Sequence, residues 1–411
     1  MEVDLFSLLN KQLDQLSKRQ LSRRRRVVDS ACGPEVLLNG RTMLAFCSND
    51  YLGLANDERL FTALNKGVKQ HGLGAGASAL ISGHYRAHQQ LEDALAALLS
   101  DHIPNSAALC FNTGYMANLA LITSISAAFQ GQLEVFSERL NHASLIDGIR
   151  LARANYKVYP HADLVALEKM LASSQAAIKL LVSDSVFSMD GRIANLPQLL
   201  ELAQHYNAWL LVDDAHGFGV LGSHGRGVLE HFNLCSPRLI YMGTLGKAAG
   251  LAGAFVCADK RLINWMLNTA RSYIYTTAMP PAMAQALQTS LTIISGPDGN
   301  QRRQHLQALI ALFRQRFQAA FGGAESPKLL PSETAIQPIV IGDNQKTLQV
   351  SQALEQRGFW VPAIRPPTVA PKTARLRITL SAAHSVDQLN RFLDVLIPLL
   401  KNVEQKDNYV V

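Results

Sequence analysis

The sequence predicts an α/β protein: a mostly parallel central sheet covered by helices on both faces, with a smaller α+β domain after it and a helical arm before it. Three observations carry this. Between about residues 105 and 260, short apolar runs alternate with longer helical patterns, the grammar of repeated strand-helix-strand units. Each run stops at Gly, Asp, Ser or His, residue types that end strands and start turns. After about residue 290 the order becomes strand, helix, two strands, helix, which marks a second unit of another class. The 411 residues are 48% hydrophobic and 17% charged, so a large core is possible and intrinsic disorder is excluded. The expected divisions are 1–45 for the arm, 46–290 for the large domain and 291–411 for the small one.

From Asp4 to Arg26, the residues Leu5, Leu8, Leu9, Leu13 and Leu16 recur at helical spacing. A basic run follows where cations suit the helix dipole, so the spacing predicts an N-terminal helix. Gly72 to Gly83 contains a formal GxGxxA, Gly74 to Ala79. The dinucleotide reading fails because that fingerprint follows a strand, whereas Phe61 to Gln70 has a helical pattern. The strand runs are Ala107 to Phe111, Leu133 to Phe136, Ile178 to Val182, Trp209 to Val212, Leu239 to Met242 and Ala254 to Cys257. Gly296, Pro297, Asp298 and Gly299 mark the changeover. Beyond it Ile336 to Ile341, Phe359 to Ile364 and Leu376 to Leu380 read as strands. Helices are expected between Gln345 and Gln356 and from Ser385 to Leu400, the last opened by a Ser385/Gln388 capping box.

Composition also narrows function. The net charge is +7, but the first 26 residues hold seven basic and three acidic side chains, leaving only +3 on the rest. That is far from the basic face of a nucleic-acid binder. No apolar run approaches the length of a membrane span, and the N-terminus lacks a signal-peptide core, so the expected location is cytoplasmic. Five cysteines lie far apart with no paired spacing, which fits reduced thiols and no metal site.

Ligands of open parallel sheets sit beyond the carboxyl ends of the strands, and those ends are rich in functional groups here. Asn112, Thr113, Gly114 and Tyr115 precede a helical pattern, whose free amides suit an anion such as phosphate; an ordinary strand-to-helix turn is the plainer reading. Asp213 follows a buried run and is followed by Asp214, Ala215 and His216. An acid there needs a cationic partner to stay ionised, such as a protonated ring nitrogen; a helix cap is the alternative. Thr244 and Lys247 stand among Gly and Ala, where partial desolvation would lower the lysine pKa and free its amine for Schiff-base chemistry. A snorkelling surface lysine is the competing reading. His142 and Ser188 follow two further runs. The ordered series, not any single member, points to a site.

That series resembles the pyridoxal 5′-phosphate site of fold type I enzymes. More narrowly, the motifs SNDYLGL, SGHYRAHQQLE, NHASLIDG, FSMDG, VDDAHGFGVLG, GTLGKAAG and IYTTAMPP resemble those of the α-oxoamine synthases, with coverage from about residue 20 to residue 400. The resemblance implies a pyridoxal-phosphate-dependent acyltransferase and assigns roles. Lys247 would bind the cofactor as a Schiff base, Asp213 would pair with its ring nitrogen, and His216 and Ser188 would contact the ring hydroxyl region. His142 would stack on the ring face. Gly114, Tyr115 and Thr244 would hold the phosphate, with Thr276 or Thr277 reaching it from the other subunit of a homodimer.

The stretches AIQPIVIGDN, AIRPPTV and TARLRITLSAAH are similar to the family members that join L-alanine to a pimeloyl thioester, carried on coenzyme A or acyl carrier protein, in biotin biosynthesis. Glycine-using relatives typically carry Arg where this chain has Ala79, although NHASLIDG and GRIANL look closer to the ketobutyrate-forming ones. By the same resemblance Arg377 would bind the alanine carboxylate, Asn49 would orient the amino acid, and Arg23 and Thr368 would meet the pimeloyl group. A solvated basic strand face is the other reading of Arg375 and Arg377. The family usually has Glu where this chain has Asp184.

Overall fold

A computed structural model describes residues 4–129, 131–322 and 327–407. They form two compact units. The larger comprises Asn49–Ser188 and Arg192–Leu306; the smaller takes the described residues up to Ser48, Met189–Gly191 and those from Gln307 onward.

The larger unit is built on seven strands: β1 (Ser106–Phe111), β2 (Leu133–Glu138), β3 (Asn155–Tyr159), β4 (Ile178–Asp184), β5 (Ala208–Asp213), β6 (Leu239–Thr244) and β7 (Ala254–Asp259). Their order is β1-β7-β6-β5-β4-β2-β3. From β6 through β3 neighbouring strands run parallel, while β7 is antiparallel to both β6 and β1. All six predicted apolar runs are strands. β6 (LIYMGT) and β7 (AFVCAD) are buried at every position, which is why they read as continuous runs: helices cover both faces. β3 was not expected. Its sequence NYKVY is mostly exposed at the sheet edge, so no core face imposes an apolar pattern on it.

The Gly114–Ala128 helix packs Ala117, Leu121, Ile122 and Ile125 against Leu109, Val182, Ile240 and Val256 of the sheet. This burial of apolar surface anchors the helix so that its first turn sits just past the end of β1. The Glu58–His71 helix precedes the Gly72–Gly83 segment, so the dinucleotide fingerprint is absent, as its context required.

In the smaller unit Glu35–Leu38 and Arg41–Ala45 pair antiparallel, and Phe359–Trp360 joins parallel to the second of them. A separate four-stranded antiparallel sheet has the order Lys328–Leu329, Ile336–Gly342, Ala374–Thr379, Ala363–Ile364. The expected single strand from Phe359 to Ile364 is therefore two, one in each sheet. Pro362 cannot donate to a ladder, so the chain leaves one sheet there and enters the next. The capping box is formed: Ser385 Oγ accepts from Gln388 N and Gln388 Oε1 from Ser385 N, both at 3.0 Å.

The N-terminal helix is shorter than expected. It spans Leu5–Lys18 and Gln20 adopts a positive φ of 58°. Arg23 to Arg26 lie outside it. Two of them have partners elsewhere in the unit: Arg26 pairs with Glu355 at 2.6 Å and Arg23 donates to Thr368 Oγ1 at 3.4 Å.

Candidate active site

The β4/β5 register places Asp184 opposite Asp213, and β5/β6 places Asp213 opposite Met242. Three parallel strands thus end level, and the residues after them surround one cleft of about 190 Å³. Gly114, Tyr115, His142, Asp213, His216, Thr244 and Lys247 line it, together with Asn118, Ser144, Asp184, Ala215 and Met242. Seven residues given a cofactor role from sequence are brought together, with Asp184, named there without one. Ser188 lies in a turn beyond β4 and is not among the lining residues.

Asp213 is 4% exposed. Its Oδ2 accepts from Asn118 Nδ2 at 2.7 Å and its Oδ1 from Ala215 N at 3.0 Å. Asn118 Oδ1 is buried without a hydrogen-bond partner, which marks a polar floor that a bound group could complete. Asp184 accepts from His142 N at 3.2 Å. Burial, and then the charge of Asp213, pushes the Asp184 carboxyl well above its ordinary range. The Asp184 carboxyl is thereby held toward its protonated form.

Asp214 has a different role. It is fully buried and takes hydrogen bonds from Ser185 Oγ, from Tyr241 Oη at 2.6 Å and from Val228 N at 2.9 Å. Gly227 closes over it with φ of +82°, and a Cβ there would stand 1.9 Å from Asp214 Oδ2. Only glycine admits both the conformation and the contact. Burial pushes the Asp214 carboxyl up to about 7. Of the adjacent pair, Asp213 faces the cleft and Asp214 fastens the loop that carries it.

Lys247 Nζ lies 2.8 Å from His216 Nε2, His216 Nδ1 lies 2.6 Å from Tyr51 Oη, and Tyr51 donates to Asn49 Oδ1 at 3.2 Å. Each link has one donor sense if the ammonium donates to Nε2: Nδ1–H then donates to the phenol, whose proton goes to the amide oxygen. Lys247 sits in the loop between β6 and β7, where Gly250 (φ +74°) passes within 2.5 Å of Leu54 C, measured from an added Cβ. The opening of the Gly114–Ala128 helix, capped by Thr113 Oγ1 accepting from Met116 N at 3.2 Å, presents its free amides on the opposite wall. Tyr115 donates to Asp147, which pushes the exposed phenol upward. An amine, a buried carboxylate and a helix N-terminus suit, in turn, an aldehyde, a protonated ring nitrogen and a phosphate. The donor set fits pyridoxal phosphate.

Thr276 and Thr277 lie outside this cleft. They line a smaller cavity of about 30 Å³ with His84, His88, Glu92 and Asn112, and Asn112 Nδ2 donates to Thr277 O at 2.8 Å. In the smaller unit Arg375 and Arg377 are 7% and 6% exposed, so a solvated basic face is overturned. Arg375 is consumed by Asp190 and by Met189 O, whereas Arg377 Nη1 donates to Thr379 Oγ1 at 2.9 Å.

Sequence reasoning missed Asn118, Ser144 and Tyr51. The first two are small polar residues inside helices, and nothing in composition separates them from any other. Tyr51 and Ser144 stood within quoted motifs without a role.

The fold and cleft define a fold type I pyridoxal-phosphate enzyme. Residues 41–396 match the aminotransferase class I and II family. The 8-amino-7-oxononanoate synthase of Janthinobacterium sp. (strain Marseille) is 56% identical over 403 residues, covering 98% of this chain and 99% of its own. A lysine-to-alanine variant of a serine palmitoyltransferase from S. paucimobilis, solved with a bound pyridoxal phosphate–myriocin aldimine, superposes with a TM-score of 0.89 at 25% identity, covering 98% of this chain and all of its own. The Francisella tularensis 8-amino-7-oxononanoate synthase gives 0.75 at 28% identity, covering 90% and 99%. The chain belongs to the aminotransferase class I and II family and, within it, to the 8-amino-7-oxononanoate synthases, pyridoxal-phosphate-dependent acyltransferases of biotin biosynthesis.

Proposed function

We propose that the chain condenses L-alanine with a pimeloyl thioester, on coenzyme A or acyl carrier protein, releasing CO2 and the free thiol and forming 8-amino-7-oxononanoate. The observation that carries this is the Lys247 amine, 2.8 Å from His216, in one cleft with the buried Asp213. Pyridoxal phosphate bound there supplies an electron sink for the Cα of the amino acid. Asp213, held by Asn118 and Ala215 N, keeps a proton on the ring nitrogen. Lys247 would anchor the cofactor through its amine and would move the Cα proton of alanine. His216 orients Lys247 Nζ, and Asn49, bonded to the Tyr51 that holds His216, faces the amino acid. Gly114, Tyr115 and Thr244 would hold the phosphate, and Ser188, in the turn beyond β4 and outside the lining of the cleft, would reach toward the ring.

Arg377 grips the alanine carboxylate, and Arg23 with Thr368 meets the pimeloyl chain; their 3.4 Å contact supports a shared role. Thr276 and Thr277, outside their own cleft, serve the cofactor of a second subunit. The N-terminal helix leaves Leu5, Phe6 and Leu13 more than half exposed, which favours a homodimer that covers them. Among the described residues no helix is long and apolar enough to cross a membrane, and the enzyme is proposed to work in the cytoplasm.

The test offers alanine, glycine and serine in competition with one another, once with pimeloyl thioester and once with acetyl thioester, and identifies products by mass. Alanine product should dominate. A glycine product from an acetyl thioester instead would identify the ketobutyrate-forming relative, the alternative raised by NHASLIDG and GRIANL.

A further inference from the structure

A buried chain of hydrogen bonds joins Asp213 to His142 through two side chains, Asn118, which donates to Asp213, and Ser144, which meets His142. Asn118 and Ser144 are both fully buried. Asn118 Nδ2 lies 2.7 Å from Asp213 Oδ2 and 2.9 Å from Ser144 Oγ, and Ser144 Oγ lies 2.7 Å from His142 Nδ1. The directions follow from the chemistry of the groups. An ionised carboxylate only accepts, so the amide edge that meets Asp213 is the NH2. That nitrogen has two protons: one goes to Asp213, the other to Ser144 Oγ. The hydroxyl, having accepted, gives its own proton to His142 Nδ1. The Ser144 backbone N–H points at the same ring nitrogen from 3.3 Å. Nδ1 therefore faces two donors and carries no proton.

We infer that Asn118 and Ser144 are positioning residues that fix His142 as the neutral Nε2–H tautomer, making it a one-proton hydrogen-bond donor to the occupant of the cleft and barring it from acting as a base through Nδ1. The inference rests on the reading that this cleft holds the cofactor between Lys247 and Asp213. Burial, the largest influence, pushes the imidazole below its ordinary range, opposed by the charge of Asp213 and aided by Lys247. The neutral ring is thus consistent with the geometry. Proton removal then falls to Lys247 alone, and Asp213 acts twice: at the cofactor ring and, through Asn118 and Ser144, on the orientation of the imidazole.

The experiment labels histidine ring nitrogens with 15N in the full-length holoenzyme and reads long-range proton–nitrogen correlations, with His142 assigned by its disappearance in His142→Asn. The expected pattern has an unprotonated Nδ1 and a protonated Nε2. A protonated Nδ1 in the parent protein overturns the inference without any variant. Ser144→Ala should release the lock and yield both tautomers or the Nδ1–H form, with kcat reduced about fivefold to tenfold, as for one lost hydrogen bond. Ser144→Thr, which keeps the hydroxyl, should restore the parent pattern. A Ser144→Ala spectrum identical to the parent's overturns the role of Ser144. The cofactor's absorbance, and its loss in Lys247→Ala, are read on the same samples. Absent absorbance in the parent would sink the cofactor reading, whereas normal absorbance with the wrong tautomer sinks only this one.

Discussion

Asp214 gives the sharpest test of how the site is held. Burial raises its carboxyl from an ordinary 3.8 to about 7, so near pH 6 the folded protein keeps it protonated. The Ser185 hydroxyl, which donates to Oδ1 of the ionised carboxylate, turns to accept the proton of the acid, and the other oxygen accepts from Tyr241 Oη (2.6 Å) and Val228 N (2.9 Å). Asp214→Ala at pH 6 strands the last two donors in a dry pocket. At about 1–3 kcal/mol each, the loss is roughly 2–6 kcal/mol, a large part of a domain stability of about 5–15 kcal/mol. Asp214→Asn mimics the protonated acid: its carbonyl serves Tyr241 and Val228 N, and its NH2 donates to the Ser185 hydroxyl. It should cost no more than about 1 kcal/mol.

The pH dependence has a definite sign. Between about pH 4 and 7 the unfolded chain has released this proton and the folded one has not, so the folded state binds more protons and unfolding free energy falls as pH rises. The slope is about 1.4 kcal/mol per pH unit, or about 4 kcal/mol across the interval. Asp214→Asn should remove that share of the slope. Urea denaturation at pH 4.5, 6 and 7.5 measures all of this. An alanine variant within 1 kcal/mol of the parent at pH 6, or an asparagine variant as damaged as alanine, would refute the reasoning.

Lys247→Ala should abolish the cofactor band that borohydride fixes and lower turnover by at least about 10³; full turnover would remove Lys247 from the mechanism. Asp213→Asn should leave the unfolding midpoint nearly unchanged and reduce kcat about 10²- to 10³-fold, since a neutral amide cannot hold a proton on the ring nitrogen; steady-state kinetics beside a melt separates the two. Leu211→Ala, at 0% exposure in the sheet core, should cost about 2–5 kcal/mol in urea with little change in KM for alanine at low denaturant. Gly227→Ala should destabilise by more than the roughly 1–2 kcal/mol of a left-handed residue, because its Cβ also strikes Asp214; a neutral melt would show that the loop yields.

Much of the fold was legible because burial leaves a mark on sequence. β6 and β7 are covered on both faces, so they read as unbroken apolar runs, and the residue that ends each run is where the chain meets the cleft. β3 lies at an edge with little buried surface and left no such mark. The Phe359 to Ile364 stretch was apolar throughout, but Pro362 decides that it serves two sheets, and which strands receive it depends on tertiary pairing. Periodicity counts leucines and does not mark the end of the arm's helix at Lys18, after which Gln20 takes a positive φ.

The site was legible where chemistry demands an unusual residue in an unusual place. A lysine among glycines and an acid after a buried strand conflict with their surroundings, and that conflict is the signal. Asn118 and Ser144 produce none, because in a helix they satisfy local rules and become informative only through partners 95 and 26 residues away. Asp213 and Asp214 show the same limit. Adjacent in sequence and identical in type, they differ in what the pleat presents to them: one faces a cleft whose floor holds an unpaired Asn118 oxygen, the other faces Tyr241, Ser185 and Gly227. Sequence can nominate the pair, but only the alternation of the strand's two sides decides which acid meets the cofactor and which holds the loop. The two substitutions to asparagine should therefore divide cleanly, Asp213→Asn losing catalysis with its fold intact and Asp214→Asn losing the pH dependence of stability while retaining catalysis. An exchange of those phenotypes would mean that the strand register assigned at Asp184 and Asp213 is wrong.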